Sequence, residues 1–275
     1  MDWQDHLHLA ARAAQAAGAH LGGAIAREKT VLSNAGKDTK LQADRDAEAL
    51  IFQFLQDTPY GIVAEESGAR GDIAEALIFQ FLQDTPYGIV AEESGARGDI
   101  AEDALWWAVD PLDGTVNFSR GIPICCVSIG MMRGGAPWLG VIYDFNREEL
   151  FSGAVGEGAW LNGEPIRVSP LEGREQAIFC SAFPPEVDDA TMARYLRIGR
   201  SFKKVRMIGS AALALAYIAC GRADAFVEEN IRIWDAAAGA AIIQAAGGYA
   251  HIEAGGEADW ACDVTCACHS NLCRF

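Results

Sequence analysis

"WWAVDPLDGTVNF", residues 106–118, passes from four apolar residues to two acids three positions apart and then to a glycine. With the two residues before it, the run "ALWWAVDP" over 104–111 reads as a short buried strand ending at Pro111. Pro111 restricts the backbone between Asp110 and Asp113, so a turn here can aim two carboxylates and the Leu112 carbonyl at one point. Ligation by oxygen alone suits Mg²⁺. Gly114 permits a close turn, and "TVNF" can open a helix whose free N–H groups face an anion. An Asx-type turn between strand and helix is the competing reading of the same string.

Two other segments carry acids in similar settings. "IRIWDAAAGAAIIQAAGG", residues 231–248, sets Asp235 at the start of a helix of small residues that can pack close to its neighbours. A simple helix cap is the alternative for that aspartate. "AEES" ends an apolar strand with two acids where water is scarce, an uncomfortable place for a mere surface charge pair.

That last string occurs twice, because residues 48–74 and 75–101 are the same 27 residues without a difference. Each copy reads as a helix, "EALIFQFLQ", stopped by Asp-Thr-Pro and followed by the strand "YGIVAEES". Solenoids need roughly three or more diverged units with capping copies, so two flawless copies read as an in-frame duplication within one domain spanning 1–275. Lengthening a loop costs only about 0.6 kcal/mol per doubling, so closure entropy barely selects the copy in use. If the surplus leaves at the Asp57-Thr58-Pro59 stop, Asp44 keeps its helix and Glu92 keeps an uninterrupted hairpin to Asp110. The uninterrupted hairpin favours that arrangement. If the surplus leaves in the "SGARGD" hairpin, Glu65 replaces Glu92. Exposing the spare unit's apolar side chains would forfeit on the order of 10 kcal/mol, so it is expected to pack on the surface, add to a sheet edge or exchange with a second chain.

The chain has 275 residues and a net charge of −16, from 22 Lys plus Arg against 38 Asp plus Glu. That balance disfavours nucleic acid and anionic membranes as partners, yet allows a phosphorylated substrate where cations reverse the local sign. The longest apolar candidate, "ALALAYIAC" at 212–220, is far short of the roughly 20 residues of a membrane span. The N-terminus reads as an Ala-rich amphipathic helix instead of a signal peptide, and the chain reads as cytoplasmic. Its eight cysteines then read as reduced thiols. The tail "CDVTCACHSN" reads as a Cys-rich final strand, a soft-metal site being the alternative.

Elsewhere, residues 32–46 read as a polar loop and 122–169 as a β-meander with turns at Gly-Gly, Asn-Arg-Glu-Glu and Asn162-Gly163. The last third alternates strands with helices near 187–200, over "AALALAYIACG" and from Asp235. Such a mixture predicts an α/β (α+β) globule of layered helices and sheets.

In that order, "AEESG", "DPLDGTVNF" and "WDAAAGAAIIQAAGG" resemble the inositol monophosphatase family. The likeness extends through "ADRDAEA", "GAWLNGEPIRVS" and "GSAALALAYIACGRADAF". It implies a layered α-β-α-β-α sandwich of the inositol monophosphatase or sugar phosphatase type, carrying one extra helix-strand unit from the duplication. The implied activity is Mg²⁺-dependent, Li⁺-sensitive hydrolysis of small phosphate monoesters, with Mn²⁺ able to substitute, by a homodimer; exchange of the surplus segment between its chains follows from the burial argument above. The resemblance gives Glu92 (or Glu65), Asp110 and the Leu112 carbonyl one Mg²⁺, and Asp110, Asp113 and Asp235 a second, with a looser third ion near the glutamate. It gives Gly114 and Thr115 the phosphate. Thr115, with Asp44 behind it, helps the glutamate activate a water. Glu228, Ala211 and Ser181 fall where the family contacts the alcohol.

The leading expectation is therefore hydrolysis of an inositol-phosphate-like sugar alcohol phosphate by a metal-activated water. Within the superfamily, a nucleoside 3′,5′-bisphosphate or histidinol phosphate is the alternative substrate. From another class, the alternative is an inactive or regulatory scaffold whose glutamate the duplication has displaced.

Overall fold

The computed structural model describes residues 2–25, 31–35, 38–41, 69–82, 85–92, 95–98, 100, 104–183, 188–255 and 260–274. The first copy's helix and strand, with Asp44 and Glu65, lie outside them. Helix α1 (Trp3–Ile25) is followed by a small antiparallel hairpin, β1 (Val31–Ala35) and β2 (Asp38–Leu41). The paired strands stand where a polar loop was expected, because ladder hydrogen bonds between short strands are made by the backbone and need no apolar alternation. Helix α2 (Ala69–Leu82) then leads to β3 (Gly88–Ala91), β4 (Gly95–Arg97) and β5 (Leu105–Asp113).

A six-residue helix α3 (Thr115–Arg120) separates β5 from the meander β6 (Cys126–Arg133), β7 (Ala136–Asp144), β8 (Glu149–Ala154), β9 (Gly158–Leu161) and β10 (Glu164–Pro165). The β9–β10 connection is the expected Asn162-Gly163 turn, with φ of 51° and 83°. Positive φ at both central residues matches the twist of the flanking strands. The chain continues through β11 (Ile178–Ser181), α4 (Asp189–Arg200), β12 (Lys204–Arg206), α5 (Ala211–Ala219), β13 (Ala225–Arg232), α6 (Ile233–Ala245), β14 (Tyr249–Ala254) and β15 (Ala261–Ala267).

These elements form the layered α-β-α-β-α sandwich. One mixed sheet has the order β10-β9-β8-β7-β6-β5-β3-β4 and the other β12-β11-β13-β15-β14. Three apolar cores fill the gaps between layers. α1 and α2 cover the outer face of the large sheet, α5 and α6 lie between the sheets, and α4 covers the outer face of the small sheet. Strand β5 is buried on both faces, which is why its sequence shows no polar alternation. Trp106 and Ala108 face the central helices, while Trp107 and Val109 face α1 and α2.

The small residues of α6 do what their pattern suggested. Gly130, Gly140 and Gly153 lie side by side across β6, β7 and β8. A Cβ on Gly140 would fall 2.1 Å from the Ala238 carbonyl oxygen. Helix and sheet can touch backbone to backbone only because both contribute small residues here. The cysteine-rich tail is the final strand: Cys262 and Cys266 lie in β15 and are buried, and all eight cysteines are free thiols. No helix among the described residues is long and apolar enough to cross a membrane.

Candidate active site

The bulge in β5 brings the motif acids together. Asp110 pairs with Ser128 of β6 and Asp113 with Cys126, so three steps along β5 match two along β6. In a regular strand, residues three apart point to opposite faces. One extra residue restores the phase, and Asp110 and Asp113 share a face. The strand therefore continues beyond its expected end at Pro111. A proline is tolerated at a bulge because no ladder donor is required there. The Leu112 N–H donates to Asp110 Oδ1 at 2.8 Å and closes the bulge.

Asp235 arrives from the third residue of α6, and its Oδ2 accepts the Arg232 N–H at 3.2 Å. Arg232 is the N-cap, and Asp235, three residues on, takes the capping-box role by accepting its amide. Oxygens of Asp110, Asp113 and Asp235 lie within 4.8 Å of one another, from stretches far apart in sequence. Glu92 comes directly after β3, and its N–H donates to the Val109 carbonyl at 3.1 Å, which sets it beside Asp110. Glu92 is the member of the group exposed to solvent, and it lines an open cleft with Arg232, Trp234 and Trp260.

The electrostatics of this corner are unfavourable without a cation. Burial raises the Asp110 carboxyl well above its ordinary range, and the charges of Glu92, Asp113 and Asp235 push it further. Burial likewise raises Asp235 strongly, with Asp113 and Glu92 adding to it. Glu92 is raised by desolvation, against a hydrogen bond with Asp110. Asp113 is raised by burial too, but Ser210, Ala212, Ala211 and Cys126 oppose the shift. Four carboxyl groups packed so tightly cannot all ionise unless something positive joins them. An oxygen-only set around one point fits a hard divalent ion.

Gly114, with φ of 88°, turns the chain from β5 into α3, and a Cβ there would meet the Ile124 carbonyl oxygen at 2.8 Å. Only glycine fits. The Thr115 hydroxyl donates to the Leu112 carbonyl at 3.0 Å, so both residues the motif reading singled out sit in one contact. Glu228 on β13 lies near enough to feel the Asp113 charge; burial first, then that charge, raise its carboxyl to about 7. Its Oε2 is buried and meets no donor among the described residues. The Ser181 hydroxyl, at the end of β11, donates to the Val227 carbonyl at 2.7 Å. Ala211 opens α5 beside Asp113.

The helix beside the site departs from the expected splice. α2 contains the last six residues of the first copy and the first eight of the second. Its Ala74, Ile78 and Leu82 are buried against α1 and the large sheet. Thr85 then ties the helix end to β5: its hydroxyl donates to the Leu82 carbonyl and accepts from the Trp107 indole. Helix and strand from one uninterrupted copy need no insertion between them, so Glu92 comes with its own helix. In consequence Gly71 precedes Glu75 by four residues, where Asp44 precedes the equivalent Glu48 by four. Glu75 is buried, and its charge raises Glu92.

Ser210 and Cys126 escaped the sequence reading. Both reach Asp113 Oδ2. A serine ahead of an Ala-rich helix was the one available signal, and it marks a cap without naming the distant partner.

Buried acids gathered at the end of a bulged strand, beside a glycine-led helix start, define a hydrolase of phosphate monoesters. The chain belongs to the inositol monophosphatase family, whose model matches residues 2–270. It is 33% identical over 253 residues to the inositol-1-monophosphatase of Synechocystis, covering 90% of this chain and 78% of that protein. It is 39% identical over 250 residues to the Nus factor SuhB of Xylella fastidiosa, covering 88% and 80%. The solved structure of an inositol monophosphatase from Anabaena superposes with a TM-score of 0.77 at 31% identity, covering 100% of this chain and 96% of that one. Members of this family are phosphatases that act on small phosphorylated substrates.

Proposed function

We propose that the chain hydrolyses an inositol-phosphate-like sugar alcohol phosphate, with Mg²⁺ as its metal. The observation that carries this reading is the meeting of Asp110, Asp113 and Asp235 oxygens within 4.8 Å. Those three residues, Glu92 and the Leu112 carbonyl would hold the ions. Mg²⁺ held there would act as a Lewis acid, making a bound water more acidic and offsetting charge on the leaving oxygen.

The chain's own groups supply the rest. Gly114 and Thr115 N–H groups at the start of α3 face the phosphoryl oxygens. Glu92, open to the cleft, accepts the proton of the attacking water, and Thr115 orients that water. Glu228, with an unfilled buried oxygen, takes a hydroxyl of the alcohol, and Ala211 and Ser181 border it. No cysteine or serine nucleophile is needed. The reading includes a homodimer of single-domain subunits working in the cytoplasm.

Phosphate release with Mg²⁺ from inositol monophosphate, a nucleoside 3′,5′-bisphosphate and histidinol phosphate tests this reading, and the first is expected to react fastest. The pH dependence has a definite sign. The folded carboxyls have raised pKa values, so without metal the folded chain binds more protons than the unfolded one. Stability of the metal-free protein therefore falls as pH rises from the ordinary carboxylate range near 4 through the raised values, of which Glu228 marks about 7. Cation binding needs the deprotonated forms, so the half-activating Mg²⁺ concentration should rise as pH falls from about 8 to about 6. Full-rate release in a chelator would refute the proposal.

A further inference from the structure

Asp113 is held differently from the other acids of the cluster. Asp110 and Asp235 each accept one backbone amide close in sequence. Asp113 Oδ2 accepts the Ser210 hydroxyl at 2.5 Å and the Ala212 N–H at 2.9 Å, and the Cys126 thiol approaches to 3.7 Å. Ser210 lies 97 residues away in sequence, and Cys126 sits directly across the β5–β6 ladder from Asp113. The Cys126 sulfur and Ser210 oxygen are 3.9 Å apart, so the three side chains close a triangle.

Ser210 carries two duties at once. Its oxygen accepts the Leu213 N–H at 3.3 Å, which caps α5, while its single proton goes to Asp113. A hydroxyl has one proton and two lone pairs, so this arrangement uses its donor completely. Ser210, Asp113 and Cys126 are all buried. Water therefore cannot take over a lost contact cheaply.

We propose that Ser210, assisted by Cys126, is a positioning residue that commits Asp113 Oδ2 to protein donors and so presents the other Asp113 oxygen to a divalent cation. This rests on the reading of the carboxylate cluster as a cation site. It also locks that oxygen to the central helix layer, because α5 cannot shift without turning the carboxylate.

Mn²⁺ binding to the intact protein, followed by electron paramagnetic resonance and calorimetry, separates this role from simple capping. Glycine caps a helix nearly as well as serine but has no hydroxyl. Ser210→Gly should therefore melt within a few degrees of wild type yet bind Mn²⁺ about tenfold or more weakly, the range seen when a group supporting a ligand is removed. Ser210→Thr should restore affinity to within about threefold, and Cys126→Ala should give a smaller loss than Ser210→Gly. Unchanged Mn²⁺ affinity in Ser210→Gly would overturn the proposal. If Ser210→Gly does not fold, wild-type affinity in Cys126→Ala, with a tenfold loss in Ser210→Thr, would overturn it as well. Wild-type protein that binds no Mn²⁺ would instead remove the cation-site reading itself.

Discussion

The heptapeptide Ala-Arg-Gly-Asp-Ile-Ala-Glu occurs at 69–75 and again at 96–102, and the two occurrences fold differently. The first opens helix α2. In the second, Ala96 and Arg97 belong to β4, paired antiparallel with β3, and Gly98 turns at a φ of 78°. The 21 residues before each occurrence, 48–68 and 75–95, are identical, so the immediate upstream sequence does not account for the difference. The downstream residues differ, and they decide. "ALIFQFL" extends the first into a helix whose apolar face meets α1 and the large sheet, and helix growth is cooperative. "LWWAV" follows the second and opens β5, a doubly buried strand paired parallel with β3.

If this comparison is right, equal residues should have unequal effects. The largest is expected at the two glutamates: Glu92→Gln should lower kcat on the order of a thousandfold, the scale of a lost proton acceptor. Glu65→Gln should leave it within about twofold. Equal losses from both would mean that the copies exchange roles. Next comes removal of residues 48–74, which joins Ala47 to Glu75 and restores Asp44 four residues ahead of it. Phosphate release should rise about tenfold, the resemblance assigning Asp44 to the support of Thr115; a shortened chain with lower turnover would contradict the placement of α2. The smallest effect should appear at the paired glycines. Gly71→Ala lies within a helix and should stabilise by about 0.5–1 kcal/mol. Gly98→Ala faces a left-handed φ and a Cβ contact of 3.1 Å with the Gly88 Cα, and should destabilise by about 1–2 kcal/mol. Thermal melts that move in the same direction would break the contrast.

Much of the architecture was legible because its signals are local. The unalternating "LWWAV" marked a strand buried on both faces, Asn162-Gly163 marked a tight hairpin, and the alanines of α6 marked close packing. Asp110, Asp113 and Asp235 stood out because acids rarely end apolar runs. The β5 bulge was not legible, since it exists only in the register between β5 and β6. Nor was the glycine row of Gly130, Gly140 and Gly153, whose members become neighbours only when three strands align. The hold of Ser210 on Asp113 spans two sequence-distant elements and leaves no periodic trace.

Sequence alone determined the acidic oxygen chemistry, the turn at Gly114 and the order of most strands and helices, since these depend on residue type and short-range periodicity. Tertiary structure decided which copy of the repeated string stands beside Asp110, which face Asp113 shares, and which donors hold it. Those outcomes depend on the burial of apolar faces against partners tens of residues away, and identical local strings carry no information about that.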